Sequence, residues 1–181
     1  MSRSLSVILL IAAISIAFIF YLSSQKPEIN YDRFNLVSPG ILRTPDERFK
    51  NLKDYPFKAN YITIEDTRIH YLDEGPKNGE IIYLLHGEPA WSYLFRKMIP
   101  VLVDAGYRVI APDMVGFGKS DKYISVEDYT HQMHVDKMTQ LIVELDLQNI
   151  TAHVHDWGGL VGLRVVCLLY TSPSPRDETK S

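Results

Sequence analysis

Between positions 43 and 166, short apolar runs alternate with segments of helical periodicity, and this alternation restricts the fold more than any other feature. The run Ile81–Leu85 is apolar without interruption. A run of this length is typical of a strand that is covered on both faces. Strands that alternate with helices predict an α/β domain in which a mostly parallel sheet carries helices on both faces.

The predicted elements follow one another without an internal repeat. A hairpin is predicted from strands at 61–64 and 68–72, joined by a turn at 65–67. Further strands are predicted at 80–86, 107–112 and 150–155, and helices over 91–105, from Ser125 and from Gly158. In the first helix Pro100 predicts a kink and Gly106 suits the C-terminal cap. Ser125 and Asp128 have capping-box spacing. One apolar helix face is predicted from Val135, Met138, Leu141, Ile142 and Leu145.

The N-terminal segment differs in composition from the predicted domain. Residues 5–22 carry no charge and would span about 27 Å as a helix, which is close to a bilayer core. Arg3 precedes them and favours an N-terminus kept inside. For residues 1–25 we predict an uncleaved membrane anchor, which the length favours, or a cleaved signal peptide. Both place the domain outside the cytoplasm.

Residues 26–55 are rich in Pro, Asp, Asn and Lys and are predicted to be a linker and lead-in to a domain at 56–166. Residues 167–177 resemble the translation of a sequencing adapter, so natural sequence is expected to end near Val166, with 167–181 foreign.

A single cysteine cannot form an internal disulfide. The net charge of −3 gives no electrostatic case for a nucleic-acid partner.

The motif Val-His-Asp-Trp-Gly-Gly at 154–159 lies where a predicted strand passes into a predicted helix. A sharp turn of this kind exposes a nucleophile at the start of the helix. The reference pKa of an aspartate is about 3.9, so Asp156 is ionised at neutral pH and can attack without a base. A carboxylate nucleophile suits attack on saturated carbon, which expels a halide or opens an epoxide. The alternative is that Asp156 is a turn residue or helix cap.

A second motif, His-Gly-Glu-Pro at 86–89, follows the predicted buried strand and precedes the first predicted helix. An oxyanion hole is normally assembled at this position in a fold of this order. The alternative is a tight turn in which Pro89 fixes the entry to the helix. Because both motifs occur in the expected order on the expected elements, the catalytic interpretation is favoured.

Three other patterns are weaker. Residues 118–120, Gly-Lys-Ser, follow a strand, but a phosphate loop needs Gly where Asp113 stands, so we predict a structural loop. His131 and His134 lie three apart on a predicted helix without an evident third metal ligand. His153 and His155 alternate on the strand before Asp156, and we predict packing or supporting roles for them rather than that of the catalytic base.

The chain resembles the haloalkane dehalogenase family in the motifs at 86–89 and 155–159 and in residues 70–76, 90–93, 96–100, 111–113 and 116–121. The resemblance implies an α/β-hydrolase fold with Asp156 as nucleophile. It implies that Trp157 binds the halide through its indole N–H and that the backbone N–H groups of Glu88 and Trp157 form the oxyanion hole. The Glu88 side chain would help to hold the hydrolytic water. The implied partners are a haloalkane and water, and we expect no metal or other cofactor.

The resemblance places the cap domain, a second acid and a histidine base downstream of Val166. The chain is therefore expected to be an inactive N-terminal fragment, truncated after the nucleophile turn, in which the strand at 150–155 becomes an open edge. Two alternatives stay open. One is an epoxide hydrolase, which shares the aspartate nucleophile and relies on cap tyrosines. The other is a membrane-tethered α/β-hydrolase fragment without turnover.

Overall fold

The computed structural model describes residues 14–18, Tyr21 and residues 34–171. The chain divides into two units, Met1–Tyr31 and Asp32–Ser181. Of the first unit, the described residues are helical. All strands and helices discussed below belong to the second unit. None of the helices in the described part of the chain is long and apolar enough to cross a membrane.

Several predictions for the ends of the chain concern residues outside those that the structure describes. Of the predicted anchor or signal peptide at 1–25, all but residues 14–18 and Tyr21 lie outside the described residues. Residues 172–181, most of the predicted foreign tail, lie outside them as well. The last helix continues past Val166, and its final residue is Thr171.

Within residues 34–171 the chain forms eight strands and three α-helices. The strands are β1 (Asn35–Ser38), β2 (Ile41–Arg43), β3 (Asn60–Ile64), β4 (Thr67–Glu74), β5 (Ile81–Leu85), β6 (Arg108–Pro112), β7 (Lys122–Tyr123) and β8 (Thr151–Val154). The α-helices are α1 (Met98–Asp104), α2 (His131–Glu144) and α3 (Trp157–Thr171). Short 3₁₀ helices are found at Asp46–Phe49, Ser92–Phe95 and Val126–Asp128.

The main sheet is mixed and has the strand order β3-β4-β6-β5-β8. β4 pairs antiparallel with β3 and β6, whereas β5 pairs parallel with β6 and β8. The antiparallel pairings begin with the predicted hairpin, and the parallel ones join strands that helices separate along the chain. β1, β2 and β7 form a second, antiparallel sheet. The predicted alternation of strands and helices is confirmed.

The predicted hairpin is present with a turn of two residues. Ile64 pairs with Thr67, so only Glu65 and Asp66 lie between the strands. The φ of Glu65 is 57°, in the left-handed region that tight hairpin turns require. β4 then continues to Glu74, and its second half pairs with β6. The hairpin therefore joins the outer part of the sheet to its centre.

Alternate side chains of the central strands divide the core between the two faces of the sheet. Leu85 packs with apolar residues of α2 and α3 on one face. Its neighbour Leu84 packs with Ile99 of α1 on the other. Helices therefore cover both faces, as predicted. The predicted apolar face of α2 is confirmed by the burial of Val135, Met138, Leu141 and Ile142.

The single helix predicted over residues 91–105 is wrong. Ser92–Phe95 forms a 3₁₀ helix, and α1 begins only at Met98. Pro100 is the third residue of α1, so its missing N–H falls among the first four of the helix, which have no intrahelical acceptor. Pro100 therefore lies at a helix start and not at a kink. Gly106 follows the helix with a φ of 92°, as expected for its predicted place at the C-terminal cap.

The helix start predicted at Ser125 is also wrong. Val126–Asp128 forms only a 3₁₀ turn, and the hydroxyl of Ser125 donates to Glu127 Oε2 at 2.6 Å instead of capping a helix. α2 begins after Thr130, whose Oγ1 accepts a hydrogen bond from the Met133 N–H at 3.0 Å. The cap residue of α2 is thus a threonine five positions further along.

β8 lies at the edge of the main sheet, and its first three residues are exposed. α3, which follows it, buries Val161 and Val165 but leaves Leu160, Leu163 and Val166 exposed. An open edge strand is a template for pairing with another chain, and an exposed apolar stripe promotes association. The strand is thus an open edge, as expected, and it lies beside an apolar helix face.

We expect Leu163→Ala to raise the monomeric fraction of the protein expressed from residue 26 onward, because this side chain is 63% exposed. It should change the free energy of unfolding by about 0.5 kcal/mol or less. The same substitution at buried Leu141 is the control, and it should cost about 2–5 kcal/mol without reducing association. Sedimentation velocity and denaturant unfolding measure the two effects. Association that Leu163→Ala leaves unchanged would contradict the prediction.

Candidate functional site

Asp156 lies between Val154, the last residue of β8, and Trp157, the first residue of α3. Its φ of 54° lies in the left-handed region, which is uncommon for a residue that carries a Cβ. The Gly159 N–H donates to the Asp156 carbonyl oxygen at 2.8 Å, so helical hydrogen bonding begins at once. The predicted strand–turn–helix passage at Asp156 is therefore present.

The start of α3 lies directly against the end of β5. A Cβ at Gly158 would overlap the carbonyl oxygens of Leu85 and His86, so the close approach requires glycine. The His155 N–H donates to the Leu85 carbonyl oxygen at 3.1 Å and extends the parallel pairing of β5 with β8. Two neighbouring parallel strands thus end at the same edge of the sheet, and each is followed by one of the predicted site turns.

The two turns meet at one hydrogen bond. The Glu88 N–H donates to Asp156 Oδ2 at 3.0 Å. A Cβ at Gly87 would overlap the Cβ and Oδ2 of Asp156, so glycine is needed for this contact. Hydrogen bonds from the backbone N–H groups of Trp157 and Glu88 lower the pKa of the exposed Asp156 carboxyl below its ordinary value. The structure thus holds an ionised carboxylate at the point where both predicted motifs converge.

Asp113 is a buried carboxylate whose contacts could not be predicted from the sequence. It accepts hydrogen bonds from His70 Nδ1 at 2.8 Å, the Lys119 N–H at 2.8 Å and the Ser92 N–H at 2.7 Å. Burial alone would raise its pKa, but the hydrogen bond and charge of His70 keep the pKa below its ordinary value. An ionised Asp113 therefore ties β4, the segment after the Glu88 turn and the loop after β6 together.

The loop at residues 118–120 is built around Asp113. The Ser120 hydroxyl donates to the Asp113 carbonyl oxygen at 2.7 Å, and a Cβ at Gly118 would overlap the Asp113 carboxylate. Lys122 Nζ donates to the carbonyl oxygens of Gly118 and Ser120 at 2.9 and 2.7 Å. The loop N–H at Lys119 is used by a carboxylate of the protein itself, which fits the predicted structural loop.

His86 is a second buried group whose contacts the sequence did not reveal. Its side chain is fully buried beneath the Glu88 turn. The Met114 N–H donates to His86 Nε2 at 2.9 Å, and His86 Nδ1 lies 3.0 Å from the Gly87 carbonyl oxygen. Burial lowers the pKa of His86, although the charge of Asp113 opposes this effect. The imidazole is therefore neutral at neutral pH.

A cavity of about 360 Å³ lies beside the two turns. Glu88 and Trp157 both line it, and Trp157 is 43% exposed. A cavity of this size suits a small organic molecule. The other residues that line it are Met114, Gly116, Phe117, Tyr129, Thr130, His131 and His134. Of the residues predicted for the site, Glu88 and Trp157 line the cavity, whereas Asp156 does not line it and adjoins it through its contact with the Glu88 N–H.

The remaining histidines contribute less to the site. His131 Nε2 lies 3.2 Å from the Leu160 carbonyl oxygen, and burial lowers the pKa of His134 to about 4. Among the residues that the structure describes, there is no cluster of three or more side chains suited to a metal ion. His153 and His155 are exposed on β8 and just after it. His131 and His134 thus line the cavity, whereas His86 is hydrogen-bonded to the turn that contacts Asp156.

Comparison with known sequences finds one matching family model and several similar proteins. Residues 80–175 match the family model described as alpha/beta hydrolase fold. A haloalkane dehalogenase from Psychrobacter cryohalolentis is 57% identical over 131 residues, which are 70% of this chain and 43% of that protein. A haloalkane dehalogenase from Mycolicibacterium paratuberculosis is 57% identical over 130 residues, which are 69% of this chain and 43% of that protein.

Solved structures resemble this fold as well. The haloalkane dehalogenase DpaA from Paraglaciecola agarilytica has a TM-score of 0.69 at 49% identity, covering 72% of this chain and 45% of that one. An epoxide hydrolase from Vigna radiata has a TM-score of 0.57 at 30% identity, covering 62% of this chain and 35% of that one. The chain spans less than half the length of these relatives.

We expect Gly87→Ala to raise the pKa of the Asp156 carboxyl towards its ordinary value, because the new Cβ would push the carboxylate away from the Glu88 N–H. Gly159→Ala is the matched control, since a Cβ there would meet only Val154 Cγ2 at an ordinary 3.9 Å. Titration of the side-chain ¹³C resonance measures the pKa in both variants. An equal pKa in Gly87→Ala and the parent would contradict the assigned contact.

Proposed function

Because this chain belongs to the α/β-hydrolase fold family, we propose that it carries the nucleophile and the anion-stabilising donors of a haloalkane dehalogenase. The observation that carries the proposal is the contact of Asp156 with the Glu88 N–H at the wall of a small-molecule cavity. Asp156 is ionised, held in place and exposed, which is what an attack on a carbon–halogen bond needs.

In the first step, one Asp156 oxygen attacks the carbon that bears the halogen. The new C–O bond forms as the C–X bond breaks, and the halide leaves with the bonding electron pair. The product is an alkyl-aspartate ester and a halide ion. The Trp157 indole can donate one hydrogen bond through its N–H and has no acceptor atom. In this cavity the N–H therefore stabilises the negative charge on the departing halide.

In the second step, water adds to the Asp156 ester carbonyl, and the alcohol leaves as the carboxylate is regenerated. The negative charge then develops on an oxygen of Asp156, where the N–H groups of Glu88 and Trp157 already converge. We propose that these two groups are the oxyanion hole. The Glu88 side chain lines the cavity and would help to hold the attacking water. The resemblance assigns the base for this water to a histidine downstream of Val166.

Epoxide hydrolysis is the second candidate, since an epoxide hydrolase is among the structural relatives. Its identity to this chain, 30%, is lower than the 49% of the haloalkane dehalogenase structure. The indole N–H of Trp157 also favours a halide, because a halide leaves as a stable anion that needs only a hydrogen bond. An opened epoxide becomes an alkoxide that must receive a proton, and an indole N–H does not transfer its proton. We therefore retain haloalkanes as the substrate class. Export or anchoring through residues 5–22 stays a prediction.

We expect the 181-residue protein to release about one bromide per chain from a bromoalkane, since the ester accumulates when no base hydrolyses it. Asp156→Asn should abolish this release, because an amide is a poor nucleophile of nearly the same shape. Asp136→Asn, an identical change at an exposed helix position, is the control. A colorimetric halide assay measures all three proteins. Equal bromide release by the parent and Asp156→Asn, without deamidation back to aspartate, would overturn the proposal.

Trp157→Phe should slow bromide release by about 10²-fold, because it removes the N–H donor and keeps an aromatic ring in the cavity. Trp91→Phe makes the same change outside the cavity lining and should leave the rate within a few-fold of the parent. The rates are measured by rapid mixing at saturating substrate, with thermal unfolding as a check on folding. Similar rates for the two variants would exclude Trp157 as a halide ligand.

A further inference from the structure

We propose that His86 is a positioning residue for the chemistry at Asp156: its imidazole fixes the peptide group whose N–H holds the nucleophile. The inference rests on the proposed function for its link to catalysis, although the contact itself does not. His86 lies beneath the turn and its side chain is fully buried, so it has no surface that could touch a substrate. Its effect must pass through its hydrogen bonds.

The protonation of the ring follows from its partners. A backbone amide can only donate, so His86 Nε2, which lies 2.9 Å from the Met114 nitrogen, must be an acceptor. The single proton of the neutral imidazole is therefore on Nδ1, which donates to the Gly87 carbonyl oxygen at 3.0 Å. Burial lowers the pKa of His86 and so preserves this neutral form. The ring thus bridges the loop after β6 and the turn after β5.

The Gly87 carbonyl and the Glu88 N–H belong to one planar peptide group. On its carbonyl side this group accepts from His86 Nδ1 at 3.0 Å and from the Ala90 N–H at 2.9 Å. On its amide side it donates to Asp156 Oδ2 at 3.0 Å. Rotation of the plane would break both sides together. The bond from His86 therefore sets the direction in which the Glu88 N–H points.

The other end of the bridge is itself held in place. Met114 follows Asp113 directly, and the Asp113 carboxylate is fixed by three hydrogen bonds to segments far apart in the sequence. Met114 is 2% exposed and packs in the core cluster shared by α2 and α3. His86 therefore transmits the position of a rigid buried loop to the peptide that orients Asp156. A merely structural histidine would affect stability alone.

Two substitutions separate the two halves of the bridge. In His86→Asn the side-chain NH₂ falls near the position of Nδ1 and can still donate to the Gly87 carbonyl, while the acceptor for Met114 is lost. In His86→Gln the longer side chain can place its oxygen near the position of Nε2, while the donor to Gly87 is lost. Each variant loses one buried hydrogen bond, so similar losses of thermal stability are expected for both.

The experiment measures bromide release from 1-bromobutane and the pKa of the Asp156 carboxyl in the 181-residue parent and both variants. His86→Gln should slow bromide release by about 10²-fold, as expected for a misplaced reacting group, and raise the pKa of Asp156. His86→Asn should stay within a few-fold of the parent rate and keep the lowered pKa. His153→Gln, at an exposed position, is the control. Equal effects of the two His86 variants on both quantities would overturn the proposal.

Two further readouts keep the inference separate from the proposed function and from folding. If the parent releases no bromide, dehalogenation fails, but the Asp156 pKa still tests the role of His86. If neither variant folds, the ¹⁵N shifts of the His86 ring in the parent decide. A protonated Nδ1 and an unprotonated Nε2 would support the bridge, and the opposite tautomer would overturn it.

Discussion

The hydrogen bond from the Glu88 N–H to Asp156 Oδ2 joins two turns, and the arrangement of the site depends on it. The turns can meet because β5 and β8 pair in parallel, with Leu85 opposite Val154, so that both strands end at one edge of the sheet. Gly87 leaves room for the carboxylate to approach the peptide. A register shift of one residue would turn the side chains to the other face and separate the two turns.

A network of buried polar groups supports this contact from below. Asp113 holds the loop after β6, and His86 connects that loop to the Gly87–Glu88 peptide. Buried polar groups are costly unless each has its partner, so such a network fixes positions more firmly than apolar contacts do. By contrast, Asp156 itself is exposed and its backbone is in the left-handed region. A rigid buried support and an exposed carboxylate suit a group that must attack a substrate.

Local patterns were sufficient to predict the positions of the five strands of the main sheet, the hairpin and the passage at Asp156, because each depends on neighbouring residues. They failed for the start of α2, since Ser125 and Thr130 both fit a helix cap and only the packing of the helix selects the second. The roles of Asp113 and His86 could not be read in this way. Three of their partners, His70, Ser92 and Met114, lie 21 to 43 residues away along the chain, so only the folded arrangement brings them together.

In the proposed reaction the Asp156 carboxylate forms the bond to carbon. Peptide mapping by tandem mass spectrometry, after incubation of the 181-residue protein with a bromoalkane, detects this bond. We expect a single alkyl group on the Asp156 side chain, with the mass expected for an ester that mild alkali removes. An alkyl group on the adjacent exposed His155 in place of Asp156, or bromide release without any adduct or alcohol product, would contradict it.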